Sequence, residues 1–189
     1  MGPSELTIVI SPIGDLGLDG AFLAWVGTEV QKVFGFPTQV VPLLDEADLV
    51  PDPLRGQVHS TPILEKLAAL LPSPAIKVLA ITRVDLFIPV LTHVYGEAQL
   101  GGKACIISTY RLEEGICINA SPKTYQCRIL KEAIHELGHT FNLRHCPEHT
   151  CIMHYCRSIR DVDRKLERLC RYCRILLEDE IKRLAKTED

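Results

Sequence analysis

The residues best suited to chemistry in this chain lie in one stretch, His135-Glu136-Leu137-Gly138-His139-Thr140-Phe141-Asn142-Leu143-Arg144-His145-Cys146. Two histidines four apart on a helix share one face and can grip a single zinc ion, and Glu136 beside the first can take a proton from a water on that ion. This is the chemistry of hydrolysis. His145 cannot join them on a continuous helix, because ten residues beyond His135 it would sit about 15 Å up the axis, against a zinc–nitrogen bond of about 2 Å. The chain must therefore turn. Asn142 stands where the turn is needed, and Asn is one of the few residues besides Gly that accepts the left-handed conformation at a helix C-terminus. With His145 folded back, His135, His139 and His145 leave a fourth position open for water, as in a catalytic rather than a closed structural zinc site.

A second set of candidate ligands follows. Of eight cysteines, Cys105, Cys117 and Cys127 are scattered, whereas Cys146, Cys151, Cys156, Cys170 and Cys173 crowd the last quarter. The opening MGPSELTIVISPIG has a short apolar run flanked by an acid and interrupted by Pro12 and Gly14, which reads as a strand rather than an export signal. The cysteines are then expected as thiols or zinc ligands in a reducing cytoplasm. No apolar run approaches the roughly 20 residues that span a bilayer, so no membrane partner is expected. A net charge of −3 with 24% charged and 47% hydrophobic residues describes an ordinary globular chain with no global pull toward nucleic acid.

The elements that must position these residues read as an α/β arrangement. Leu6–Ser11 is an apolar strand. A helix capped by Asp19 follows, carries Phe22, Leu23, Val26, Val30 and Val33 on one stripe, and stops at Gly35. Thr38–Leu43 is a second strand ending near Pro42, and the next helix starts at Ser60 or Thr61 as its cap, with Pro62 in its first turn. Ile76–Thr82 is a third strand, apolar enough to be covered on both faces. That order implies parallel pairing with right-handed crossovers. Val94–Gln99 and Ala104–Thr109 then form a hairpin about Gly101 and Gly102, which puts a strand at a sheet edge where an extended peptide could add by main-chain hydrogen bonds. Ser121 and Pro122 open the largely buried helix that bears the motif. A last long helix is expected from Ile159 to Ala185, with Cys170 and Cys173 inside it.

The residues by this point resemble the archaemetzincin (archaelysin) family of metzincin zinc metallopeptidases. His145-Cys146, Cys151-Ile152-Met153 and Cys170-Arg171-Tyr172-Cys173 fall in the family's order, and Arg55-Gly56-Gln57, Asp85-Leu86-Phe87, Gly96-Glu97-Ala98 and Arg111-Leu112 extend the resemblance over nearly the whole chain. It implies a mixed, mostly parallel twisted sheet with backing helices and an active-site helix. It implies a catalytic zinc on His135, His139 and His145, with Glu136 as general base and then acid, and Met153 in a turn beneath the metal. It also implies a second, structural zinc on Cys146, Cys151, Cys170 and Cys173, hence two ions per chain. Asn142 stands where the metzincins usually have glycine. Met153-His154-Tyr155 repeats the Met-x-Tyr of some metzincins, in which the tyrosine stabilises the transition-state oxygen, and Tyr155 is the candidate for that role. Residues 1–145 are then a catalytic subdomain ending at the third ligand, and 146–189 a small C-terminal subdomain, the two forming one compact unit.

Some alternatives stay open at this level. Cys156 could replace Cys151, and His149 or His154 could compete as ligands. The substrate is expected to be a peptide or protein bound extended to a monomeric enzyme, with internal and terminal cleavage both open. The rival reading is a zinc-stabilised, non-catalytic binding module, serving nucleic acid through the Arg157–Arg174 segment with its seven basic and three acidic residues. A redox role for Cys170-x-x-Cys173 is disfavoured by its expected place inside a helix.

Overall fold

The computed structural model describes residues 6–116 and 122–186. Cys117 and the Ser121 cap lie outside them. A five-stranded sheet forms the middle layer, built from β1 (Thr7–Ile13), β2 (Thr38–Val40), β4 (Ala75–Thr82), β6 (Gly96–Ala98) and β7 (Ala104–Ser108) in the order β2-β1-β4-β7-β6. The first four strands in that order run parallel, and β6 is antiparallel to β7 at the edge. A separate parallel pair, β3 (Val58–His59) with β5 (Leu86–Phe87), packs alongside. Neither two-residue strand is long enough to leave a periodic trace in sequence.

The unbroken apolar runs of β1, β4 and β7 arise because both faces of the sheet are covered. Ile8, Ile10, Leu79, Ile81, Cys105 and Ile107 face one core, shared with α1 (Gly20–Phe34) and α3 (Pro122–Thr140). Val9, Val78, Ala80 and Ile106 face the other, shared with Ile63, Leu64 and Leu67 of α2 (Ser60–Leu70). The caps of α1 are as expected: Asp19 accepts the Phe22 N–H at 2.7 Å, and Gly35 ends the helix in the left-handed conformation.

Three expectations are corrected. β1 runs through Pro12 to Ile13. Ile8 and Ile10 bond toward β2, so the N–H that Pro12 lacks points to the side where β2 has already ended at Val40. At the start of α2, His59 is the cap residue and gives no side-chain hydrogen bond. The Ser60 and Thr61 hydroxyls instead donate to the two oxygens of Glu97 on β6, at 2.5 and 2.8 Å, tying α2 to the edge strand. The long C-terminal helix is in fact two, α4 (Ile159–Arg164) and α5 (Arg171–Lys186). Lys165 turns extended, and the connecting chain bonds back to the 150s through Leu166 N–H to Thr150 O and Ile152 N–H to Arg168 O. Among the described residues, no helix is long and apolar enough to cross a membrane.

Candidate active site

The motif occupies the end of α3, which packs against β4, β6, β7 and α1 with Ile129, Ala133, Ile134, Leu137 and Phe141 buried. Its termination is what makes a site of it. Leu143 N–H bonds to Gly138 O at 3.0 Å and Asn142 N–H to His139 O at 2.9 Å, a Schellman closure in which Asn142 takes φ +61°. Lys77 from β4 donates to Thr140 O at 2.8 Å and Gly102 O at 2.7 Å, placing a cation where the helix leaves its carbonyls unpaired. Gly101 N–H reaches His139 O at 2.9 Å, so the β6–β7 hairpin is pinned to the same turn. Gly138 is required by packing: a Cβ there would lie 2.5 Å from Sδ of the fully buried Met153.

The turn brings His145 back to His135 and His139, so the reversal expected at Asn142 is present. The Nε2 atoms of His135 and His139 lie 3.2 Å apart, and His145 completes a group whose ligand atoms are all within 4.8 Å of one another. Bonds of about 2.0–2.1 Å to one tetrahedral ion would set neighbouring nitrogens about 3.3 Å apart. The opposite nitrogens are engaged: His135 Nδ1 with Ile152 O at 2.8 Å, and His139 Nδ1 with Leu143 O at 2.7 Å. A carbonyl can only accept, so each Nδ1 carries the proton and each Nε2 offers its lone pair. Burial first, and then the cationic neighbourhood of Lys165 and the other imidazoles, pushes His135 well below its usual range and His145 down to about 4. Neutral imidazole is the ligand form, and the donor set fits zinc.

Glu136 is buried next to this group, with its side chain against the edge strand. A Cβ on Gly96 would lie 2.6 Å from its Cγ. Burial, followed by the charges of Glu132 and Glu97, pushes its carboxyl well above the ordinary range; a nearby dication would oppose that. Both catalytic candidates and edge strand line one cleft of about 690 Å³. Tyr155 is in it too, with its ring 4.9 Å from that of His145.

Behind Met153 the four cysteines Cys146, Cys151, Cys170 and Cys173 gather, their sulfurs within 4.8 Å of one another. Cys146 Sγ and Cys170 Sγ lie 3.8 Å apart, the spacing that bonds of about 2.3 Å to one tetrahedral zinc give. Main-chain N–H groups of Cys170 and Cys173 point at the sulfurs of Cys151 and Cys170. Burial resists ionisation, yet the Cys173 amide and the adjoining thiols pull the Cys170 thiol down, while burial and Cys151 push Cys173 up. Ionised together, these sulfurs need a cation among them.

Cys156 is outside this group. Its thiol faces His154 O at 3.6 Å and the cleft, and burial pushes it up to about 11. His149 and His154 contact one another at 3.1 Å and belong to neither ligand group, the Nδ1 of His154 being engaged by the carbonyl of Cys146 at 2.8 Å. The break between α4 and α5 corrects the placement of Cys170 and Cys173: Cys170 precedes α5 and Cys173 lies in its first turn. Proximity to Cys146 and Cys151, rather than mid-helix burial, is what sets them apart from a two-thiol redox pair.

Sequence reasoning missed the polar seam that joins α3 to α4. Arg128 pairs with both oxygens of Asp163 at 2.8 Å, and Lys131 donates to Val162 O and Asp163 O. Lys165, with no exposed side-chain surface, sits 2.8 Å from Glu132 and 3.5 Å from His135 Nδ1. Burial is the largest influence and opposes its charge, but Glu132 and Cys156 together outweigh it and hold Lys165 above its usual value. The available signal was periodic: Arg128, Lys131, Glu132 and His135 fall at i, i+3, i+4 and i+7, a polar stripe on a helix otherwise buried.

Neutral imidazoles converging on one point, at the end of a helix packed beneath the free edge of a mostly parallel sheet, define the zinc metallopeptidase class. Comparison with known proteins takes this further. The pattern of peptidase family M54 matches residues 68–179. An archaemetzincin of Methanocaldococcus jannaschii is 37% identical over 175 residues, covering 92% of this chain and 94% of that protein. The crystal structure of archaemetzincin from Methanopyrus kandleri superimposes with a TM-score of 0.80 at 28% identity, covering 96% of this chain and 98% of that one. Archaemetzincin from Archaeoglobus fulgidus, solved in complex with malonate, gives 0.74 at 31% identity over 90% of this chain and 99% of its own. The chain belongs to peptidase family M54.

Proposed function

We propose that this chain hydrolyses peptide bonds with one zinc held by His135, His139 and His145 and with Glu136 as the proton carrier. The observation that carries the reading is the 3.2 Å approach of two Nε2 atoms whose Nδ1 partners are carbonyls, with a buried carboxyl on the next residue. Zinc bound there supplies Lewis acidity, which polarises the scissile carbonyl and acidifies the attacking water. Glu136 accepts the proton of that water as it adds to the carbonyl carbon, then delivers it to the leaving amine as the C–N bond breaks. Gly96 leaves the space that fixes the Glu136 side chain beside the histidines. The free side of β6 binds the substrate extended by main-chain hydrogen bonds, so that the scissile bond passes over the histidines. Tyr155, in the cleft beside His145, offers its hydroxyl as a donor to the oxygen that gains charge.

Cys146, Cys151, Cys170 and Cys173 hold a second zinc that has no open position and serves structure. It would join the chain following His145 to the start of α5. The catalytic unit, residues 1–145, and the small C-terminal unit, 146–189, are thus clasped together, and the enzyme acts as a monomer in the cytoplasm.

The test is Glu136→Gln in the zinc-loaded protein. Zinc content should be unchanged, and kcat for peptide hydrolysis should fall by about 10²-fold or more, the usual contribution of a positioned general base. Turnover within a few-fold of the parent would refute the assignment.

A further inference from the structure

The charged groups of the cleft are unequally engaged. Its acids are all committed: Glu97 to the Ser60 and Thr61 hydroxyls, Glu132 to Lys165, and Glu136 to the buried place beside Gly96. Arg144 and Arg157 also line it, and both are exposed. Neither guanidinium has an ion pair or a side-chain hydrogen bond among the described residues. Arg55, Arg111 and Arg128, elsewhere on the molecule, are by contrast seated on a carbonyl, Asp85 and Asp163. The cleft therefore offers two free cations on a protein whose net charge is −3. They stand on the wall formed by the chain around His145 and Tyr155. The same cleft is also lined by the apolar side chains of Ile88, Leu91, Val94 and Leu100.

We propose that Arg144 and Arg157 form a carboxylate-binding subsite. Preferred substrates then carry an Asp or Glu side chain, or their own terminal carboxylate, within about two residues of the scissile bond at about 3.3 Å per extended residue. This deepens the peptidase reading and rests on it. The guanidinium is a planar fork that takes a carboxylate with two parallel hydrogen bonds, which a neutral amide of the same shape cannot match. Successive side chains of an extended peptide point to opposite sides, so a carboxylate toward the arginines turns its neighbours away from them.

The experiment measures binding of short labelled peptides to the zinc-loaded Glu136→Gln protein, which does not consume them. Asp and Glu peptides are compared with Asn and Gln counterparts, each as free acid and as C-terminal amide. The carboxylate forms should bind about fivefold to tenfold tighter at low salt, with the advantage shrinking as salt screens it. Adding Arg144→Gln and Arg157→Gln should bring the ratio close to one. If the advantage follows the free terminus and not the side chain, the source is the chain end; the reverse outcome identifies an acidic residue. Equal binding of acid and amide forms, or a preference that survives the double substitution, would overturn the proposal. Turnover of the same peptides by the parent protein is measured separately. Absence of all cleavage there would count against the peptidase reading, while the binding ratio would still decide the subsite.

Discussion

Gly96→Ala adds one methyl group where β6 faces the catalytic helix. That Cβ would lie 2.6 Å from Glu136 Cγ, 2.9 Å from Glu136 Oε1 and 2.8 Å from Ile106 O, where ordinary contact begins at 3.4 Å. The backbone carbonyl belongs to β7, hydrogen-bonded between β4 and β6, and has little room to give, so the Glu136 side chain must retreat by about 0.8 Å, or β6 must lift from β7. A misplacement of about 1 Å in a catalytic group costs about 10²-fold in rate. Alanine gains about 0.5–1 kcal/mol over glycine in a strand and loses about 1–3 kcal/mol to overpacking, leaving a net destabilisation of about 0–2.5 kcal/mol. The three atoms nearest the new methyl belong to Glu136 and Ile106, and zinc content should not change. The assay is kcat and KM on one peptide, with zinc per chain and the urea midpoint measured on the same preparation. A variant that keeps zinc and turns over within about threefold of the parent would refute the view that Glu136 works from its place against the edge strand.

Four further outcomes are expected. Cys173→Ser should lower zinc from two ions per chain to one and depress the melting temperature strongly, since a structural zinc site contributes on the order of 10 kcal/mol; one zinc in parent and variant alike would remove the second site. Asn142→Gly should be neutral or stabilising and Asn142→Ala destabilising by about 1 kcal/mol in urea unfolding, because the φ of +61° there is free to glycine and strained for alanine. Burial lowers Lys77 from 10.5 to about 8, so between pH 8 and 10.5 the unfolded chain holds more of this proton than the folded one. Its contribution to stability should therefore rise with pH across that window, and the rise should be absent from Lys77→Met in paired urea titrations. Lys165→Met, which strands Glu132 in the interior, should cost about 3–5 kcal/mol, while Lys165→Met with Glu132→Met should recover most of it in a double-mutant cycle.

What could be read in advance followed from strong local rules. The histidine pair, its glutamate and the turn at Asn142 each rest on helix geometry over a few residues, and the parallel pairing of the first strands follows from alternating apolar strands and amphipathic helices. The break between Arg164 and Arg171 left no such trace: the segment has neither Pro nor Gly, and it is held open by bonds to Thr150 and Ile152 that only the folded chain brings near. Ser60 and Thr61 look like helix caps, but the helix begins at Ser60 with His59 as the cap residue, and the two hydroxyls are turned as donors to the carboxylate of Glu97, which is distant in sequence. Lys165 reads as one more surface cation until Glu132 is found behind it.

The carbonyl of Ile152 holds the His135 ring, its N–H is tied to Arg168, and its chain neighbours are Cys151 and Met153. A single residue thus touches one of the three converging histidines on one side and adjoins a member of the four-thiol cluster on the other. Were ions to occupy both clusters, each would bear on how firmly that residue is held, so affinity at each is expected to depend on the state of its counterpart. Thermodynamic linkage makes the dependence reciprocal: whatever factor an ion among the sulfurs adds to retention among the imidazoles, an ion among the imidazoles returns to the sulfurs. Stripping such a protein with chelator would then proceed cooperatively, and reconstitution would depend on filling order in rate but not in end state.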